Sequence, residues 1–169
     1  LDPEWNPGGL WRPVHLLETG AVRIDRLRVL CRDANDVRAH LRLHARLDTD
    51  QQCSALVRTS IDGVVASEQL KPLAAGLNEV AWDLDVNDPR LWWPWSMGDQ
   101  PLCLVEVEVL VDGEVSHSRS VRTGLREVAV HDFVFSVNGE QLFVKGANLA
   151  PTRQALADAS AAEVRRDVE

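Results

Sequence analysis

The sequence has no apolar run approaching the roughly 20 residues that a helix needs to cross a bilayer, so we expect no membrane partner. Positive charge is also in short supply, because 18 Lys and Arg stand against 26 Asp and Glu and leave a formal net charge of -8. An acidic surface of this kind repels phosphate backbones. We therefore expect no nucleic-acid partner either.

Cysteine is scarce, and its pattern does not indicate a metal site. Cys31, Cys53 and Cys103 are odd in number and lack the CxxC spacing of zinc ligands, which predicts three reduced thiols packed as small apolar residues. A Cys53–Cys103 bridge between two sheets stays open as the alternative. It would lack the tryptophan that follows the first cysteine of an antibody-type domain by about a dozen residues.

Motifs for cofactors and metals are missing as well. The sequence contains no GxGxxG, no P-loop and no HExxH. His40 and His44 are four residues apart, but on a strand this spacing separates them by about 13 Å, so we expect them to face solvent rather than to share a metal. We expect no cofactor and no metal.

The chain begins with Leu1 rather than Met, and no signal peptide is visible. We therefore expect it to be an excised piece of a longer protein, and its compartment stays open.

Alternation of apolar and polar residues dominates the middle of the sequence and predicts strands with one buried and one wet face. Asp62-Gly63 and Asp112-Gly113 end two of these stretches with hairpin-turn chemistry. A one-residue change of phase near Asp25-Arg26 predicts a β-bulge. The four clearest alternating stretches are residues 37–47, 53–61, 80–86 and 103–111.

About seven short strands with turns between them predict an all-β fold. We expect an immunoglobulin-like β-sandwich of about seven antiparallel strands over residues 21–130. Residues 1–20 combine loop chemistry with one short apolar stretch, which is typical of a strand end belonging to something upstream.

The pattern changes over residues 131–169. Alternation ends at Asn138-Gly139, the strongest short hairpin signal, and a loop comes after it. Ser160 and Glu163 then fit a capping box and predict a helix that begins at Ala161. Because strand, loop and helix start form the opening of a βα unit, this segment predicts a further domain downstream.

Four stretches of the chain resemble glycoside hydrolase family 2, nearest its β-mannosidase-like branch. They occur in the family's order and spacing and together span nearly the whole chain. The sugar preference stays open, because Trp95-Ser96-Met97, Cys103 and Leu149 depart from residues that are common in relatives. The four stretches are GGLWRPV (8–14), DPRLWWP (88–94) with QPL (100–102), TGLRE (123–127), and FSVNGE (135–140) with FVKGAN (143–148).

The resemblance implies the end of a jelly-roll sugar-binding domain at residues 1–20, the sandwich at 21–130, and the hairpin and first βα element of a TIM barrel at 131–169. Family members are retaining enzymes with two catalytic carboxylates about 5 Å apart, both on later barrel strands. No position of this sequence matches their motifs, so no catalytic residue is carried over and the chain alone should be inactive. The implied partners are the jelly-roll and TIM-barrel domains of the same chain and, in the intact enzyme, a β-glycoside substrate.

Asn148 and Arg153 are the candidate substrate-binding residues. In a barrel, the loop after a strand lies at the C-terminal face, where active sites are built. Asn148 would line a sugar subsite there only in the intact enzyme, with Arg153 near it. The alternative is that Asn148 satisfies loop backbone groups.

Trp92, Trp93 and Trp95 form the most distinctive aromatic cluster in the sequence. An exposed tryptophan patch is suited to stack on sugar rings, which would make the chain a carbohydrate-binding module. We expect instead that the three residues pack at the end of the sandwich or against neighbouring domains, while Trp82 lies in the core. The sequence thus favours a non-catalytic structural domain of a β-mannosidase-like enzyme. An unrelated interaction domain of the same fold is a third possibility.

Overall fold

The structure is a computed structural model of the 169-residue chain and describes residues 10, 13–152 and 159–169. It contains two compact units, Glu18–Phe143 and the flanking residues Leu1–Leu17 with Val144–Glu169. Within these described ranges, no helix is long and apolar enough to span a membrane.

Seven antiparallel strands form the two sheets of a β-sandwich, which confirms the predicted fold class. The first sheet has the order β1-β2-β5 and the second the order β4-β3-β6-β7. The strands are β1 (Val22–Ala34), β2 (Arg38–Thr49), β3 (Cys53–Ile61), β4 (Val64–Leu73), β5 (Gly76–Asn87), β6 (Cys103–Val111) and β7 (Glu114–Thr123).

The predicted alternation fixes which side chains enter the core. On β2, Leu41, Leu43, Ala45 and Leu47 are buried, whereas the polar residues that alternate with them are half-buried. Trp82 of β5 lies in the same core with 4% of its surface exposed. Its indole Nε1–H donates to Thr59 Oγ1 at 3.1 Å, so the two buried polar groups satisfy each other.

The turn and bulge predictions are confirmed. Asp62-Gly63 and Asp112-Gly113 adopt positive φ at both positions, as two-residue hairpin turns that follow the strand twist require. The pairing of β1 with β2 shifts register between Ile24 and Arg26, where the phase of the sequence changes.

Strand β4 was not predicted. Val64, Val65 and Leu70 are exposed on this edge strand, and Leu73 at its end is its one buried residue, so no alternating face is buried. An edge strand with little to bury leaves a weak alternation in the sequence.

A third, smaller sheet belongs to the compact unit Glu18–Phe143, which also contains the sandwich. It has the order β10-β9-β8, formed by β8 (Val128–His131), β9 (Val134–Val137) and β10 (Glu140–Leu142). The Asn138-Gly139 hairpin is therefore confirmed, and β8 is an additional strand on its other side. Residues 143–148, which resemble the family's first barrel strand, form no strand in the structure.

The predicted helix is α1 (Ala161–Val168) in the second unit. Ser160 Oγ accepts from the Glu163 N–H at 3.3 Å, and Glu163 Oε2 accepts from the Ser160 N–H at 2.9 Å. This reciprocal capping box confirms the predicted start of the helix.

The first residues of β1 are fastened to β7 in the other sheet. Ser116 Oγ accepts from the Val22 N–H and donates to the Val22 carbonyl, both at 2.8 Å. The Ile24 N–H donates to His117 Nδ1 at 2.8 Å. Because a backbone N–H can only donate, this bond requires an unprotonated Nδ1. Burial lowers the pKa of His117, and the nearby charges of Arg119 and Arg23 lower it further.

This geometry predicts a loss of stability on acidification. The unfolded chain takes up a proton on His117 near the ordinary pKa of 6.5, whereas the folded protein resists protonation to a lower pH. The free energy of unfolding should therefore fall as the pH drops through 6.5 toward the lowered pKa. We expect His117→Gln, which keeps an acceptor but does not titrate, to remove this part of the pH dependence in urea unfolding between about pH 7.5 and about pH 5.

His40 supplies the control. A hydrogen bond to Asp85 raises the pKa of His40, so its contribution is present below 6.5 and is lost as the pH rises through the raised pKa. His40→Gln should change the pH dependence in the opposite direction. If wild type and His117→Gln differ in stability by the same amount at both ends of the pH range, the assigned role of His117 is wrong.

Candidate functional site

Trp92 fastens the loop between β5 and β6 to the chain segment that comes after β7. The Trp92 N–H donates to the Leu125 carbonyl at 2.9 Å, beside a parallel bridge between Leu91 and Leu125. The Arg126 guanidinium lies 4.5 Å from the centre of the Trp92 ring, within the range of a cation–π contact. The indole is thus half-buried and held against the segment that leaves the sandwich.

Gly124 makes this close packing possible. A Cβ at this position would lie 2.6 Å from Cγ of Trp92, closer than real Cβ contacts allow. Its φ does not lie in the left-handed region, so the requirement for glycine comes from the space that the indole takes.

Asn138 joins the small sheet to the same place. Its Nδ2 donates to the Trp92 carbonyl at 3.1 Å, and its Oδ1 accepts from the Glu127 N–H at 3.0 Å. The Asn138 N–H in turn donates to the Glu127 carbonyl. We call this set the junction and define it as Trp92, residues 124–127 and Asn138. It connects a loop, a linker and a hairpin that are far apart in sequence.

The other two tryptophans differ in their surroundings. The Trp93 backbone is held by Asp99 and Gln100, and Gly98 packs against its half-buried ring. Trp95, by contrast, is 89% exposed. Trp92 and Trp93 are therefore engaged within their own unit, and Trp95 is the member of the cluster that is open to a partner. Sugar stacking and interdomain contact both stay predictions.

Asn148 is exposed and lies outside the strands and the helix of the second unit. Arg153 lies outside the described residues. The predicted role of both residues in substrate binding stays a prediction.

The described residues hold no group of three or more His, Cys, Asp or Glu that is suited to a metal ion. The three cysteines are free, and burial raises the pKa of the Cys31 and Cys103 thiols, which disfavours the reactive thiolate. His40 is not simply solvent-facing as expected, because its ring contacts Asp85 at 2.8 Å and Asp83 at 3.3 Å.

Sequence reasoning missed how the junction is built. Asn138-Gly139 indicated only a turn, and nothing in the pattern showed that the Asn138 amide reaches Trp92. The GLRE segment at 124–127 resembled a linker, but its glycine and arginine contact the indole only because the fold brings them there.

The packing of Gly124 against Trp92 predicts a cost for any added side chain. Gly124→Ala should lower the free energy of unfolding by about 1–3 kcal/mol, the usual cost of overpacking a tight contact. Gly146→Ala is the matched control, because nothing lies within 4 Å of its added Cβ. Urea unfolding followed by tryptophan fluorescence measures both. Equal effects of the two substitutions would contradict the assignment.

Comparisons with known proteins agree with this architecture. The chain is 30% identical over 166 residues to an exo-beta-D-glucosaminidase of Arthroderma benhamiae, covering 85% of this chain and 19% of that protein. It is 26% identical to the beta-mannosidase B of Emericella nidulans, covering 98% of this chain and 21% of that protein. The chain thus spans about a fifth of the length of these curated relatives.

Solved structures show the same fold. A beta-D-mannosidase from Dictyoglomus thermophilum superimposes with a TM-score of 0.72 at 22% identity, over 86% of this chain and 19% of that one. An exo-chitosanase from Amycolatopsis orientalis gives 0.68 at 25% identity, over 79% of this chain and 17% of that one. The model of the glycosyl hydrolases family 2 matches residues 22–126, from the start of β1 to the arginine stacked on Trp92. Since this match covers most of the chain and all seven sandwich strands, the chain belongs to glycosyl hydrolase family 2.

Proposed function

We propose that this chain is a non-catalytic structural domain of a family 2 glycoside hydrolase, which holds a jelly-roll sugar-binding domain and a catalytic TIM barrel in register. The junction is the observation that carries the proposal. It fixes the path of the chain as it leaves the sandwich, because Asn138 of the hairpin and Trp92 of the loop are bonded across 46 positions of sequence. A spacer domain needs such a rigid exit to set the direction in which the next domain of the chain extends.

The small sheet supports a contact with a neighbouring domain. Its residues expose a group of large apolar side chains, and Phe133 is 99% exposed. Val130 stands opposite Phe135, so these two side chains share one face of the sheet with Val128, whereas Val134 lies on the other face. Contiguous exposed apolar groups mark interaction surfaces in folded proteins.

Three carboxylates of the sandwich differ from the catalytic carboxylate pair of a retaining glycosidase. Such an enzyme needs a general acid whose pKa is raised, next to a carboxylate nucleophile. Asp25 is instead bonded to Arg46, which lowers the pKa of its carboxyl group. Asp83 and Glu68 are likewise held by arginines, at 2.9 and 2.7 Å. These pairs support the proposal that catalysis is left to another domain.

For the intact enzyme we propose a β-mannosidase-like retaining activity, with a β-glucosaminide as the second candidate substrate. Relatives named beta-mannosidase and exo-beta-D-glucosaminidase support the two candidates. Asn148 and Arg153 would contact the sugar there. In the described part of the chain Asn148 is exposed, as a residue that lines an open subsite would be.

The proposal predicts that the junction stabilises the β9–β10 hairpin at Asn138-Gly139. Asn138→Gly keeps the positive φ but removes the two side-chain hydrogen bonds, so amide exchange over residues 128–142 should accelerate by about tenfold or more. The amides of β3 and β6 should be unaffected. Hydrogen–deuterium exchange measures both regions in one experiment.

Asn35→Gly provides the control, since Asn35 Oδ1 accepts from the N–H groups of Val37 and Arg38 in the turn between β1 and β2. It should loosen that turn and leave the hairpin unchanged. If the amide hydrogens of the hairpin exchange at the wild-type rate in Asn138→Gly, the proposal is wrong.

A carbohydrate-binding module is the second candidate, and the exposure of Trp95 is the observation that favours it. The structural proposal predicts no change in tryptophan fluorescence with mannose, glucosamine or their oligomers at roughly millimolar concentration, the weak-binding range. It also predicts no release of p-nitrophenol from p-nitrophenyl β-mannoside or β-glucosaminide. Quenching by sugar that disappears in Trp95→Ala would establish the module instead, and hydrolysis by this chain would overturn both candidates.

A further inference from the structure

The outer face of the first sheet is a ladder of opposite charges across its strands. Most cations there have a carboxylate partner on a neighbouring strand, so the face is largely neutralised. The pairs are Arg23–Asp48, Arg38–Asp33, His40–Asp85 and Arg42–Asp83.

In one part of this face, two of the cations lack such carboxylate partners among the residues that the structure describes. A groove is lined there by Arg26, Arg28, His44, Ala45, Arg46 and Glu79. In the register of β1 with β2, Arg26 stands opposite Arg46, and Arg28 stands opposite His44. Of these two pairs, Arg26 and Arg46 carry like charges, which destabilise a sheet when they stand directly opposite each other on adjacent strands.

The charges of the groove are incompletely compensated. Arg46 is bonded to Asp25, but Arg26 and Arg28 are exposed and form no ion pair or hydrogen bond within the described part of the chain. Glu79 stands opposite Arg46 on β5 and is also unpaired there, while the small Ala81 stands opposite His44. Asp25 attracts Arg26 only at longer range and is bonded to Arg46, so neither Arg26 nor Arg28 is bonded to a carboxylate within these described residues.

The amino-acid composition does not explain why these arginines have no bonded carboxylate. Acidic residues outnumber Lys and Arg by 26 to 18, so carboxylates are in excess over the chain as a whole. The register shift between Ile24 and Arg26 also lies at this place, and bulges commonly re-aim side chains near functional surfaces.

We propose that this groove is a docking site for an acidic protein surface, whose carboxylates pair with the free guanidinium groups of Arg26 and Arg28. Arginine binds a carboxylate through two parallel N–H···O bonds, which gives geometric specificity as well as attraction. Small ligands usually bind in concave pockets that bury most of their surface, so a groove on a sheet face is better suited to bind a protein surface. The curated relatives are about five times longer than this chain, so in them such a domain has other protein beside it.

A hexaglutamate peptide with a fluorescent label is a direct probe, used with the whole chain in about 20 mM salt, where charge pairing is weakly screened. A net charge of -8 repels such a peptide in general, so binding must come from a local site. We expect saturable binding by fluorescence anisotropy. Arg26→Glu with Arg28→Glu should weaken it at least about tenfold, and Glu79→Gln should strengthen it about twofold or more.

The control is Arg32→Glu with Arg122→Glu, which makes the same change of charge at exposed arginines outside the groove. It should change affinity by less than about twofold. Arg26→Gln with Arg28→Gln provides a milder test if the charge reversal disturbs folding, which circular dichroism would reveal.

Two results would overturn the proposal: no binding of the peptide, or equal losses in the groove and control variants. If the peptide does not bind but a sulfated polysaccharide binds tightly, the groove is assigned to a different class of partner.

Discussion

The packing of the Trp92 indole on Gly124 is the contact on which the exit from the sandwich depends. Only a residue without a side chain lets the linker come this close, since a Cβ would meet the ring at 2.6 Å. Once the linker lies there, Arg126 covers the ring and Leu125 accepts the Trp92 N–H. Asn138 then adds the hairpin through its amide. A van der Waals constraint at one glycine is thus combined with hydrogen bonds of ordinary length that join three segments.

The entry of the chain is held by a different kind of interaction. Ser116 and His117 bind the backbone of Val22 and Ile24 through side-chain hydrogen bonds, so β1 is tied to the second sheet as well as to β2. A polar fastening of this kind is sensitive to protonation, whereas the apolar core between the sheets is not. Entry and exit are therefore held by different contacts within one compact unit.

The domain presents three surfaces with distinct chemistry. The small sheet exposes apolar side chains, the loop presents one tryptophan, and the first sheet carries two arginines without carboxylate partners. The core uses none of these groups. Several of its carboxylates, by contrast, are paired with arginines across strands.

The sequence by itself determined the strands whose faces differ in burial and the turns whose geometry needs Asp-Gly or Asn-Gly. Residues 53–61 and 103–111 were predicted to the residue, because strict alternation and a turn bound each of them. The capping box located α1, since its two hydrogen bonds join residues only three apart. Recognisable segments around Trp92 and Asn138 also pointed to the family.

Tertiary structure alone decided what those segments touch. Edge strand β4 left little pattern because it buries little, and the roles of Gly124, Arg126 and Asn138 depend on contacts between distant positions. The same holds for the groove, because the register of β1 with β2 decides that Arg26 meets Arg46 and Arg28 meets His44. Local patterns encode burial and turn geometry, whereas partners across a sheet or a junction are set by register and packing, which no single segment carries.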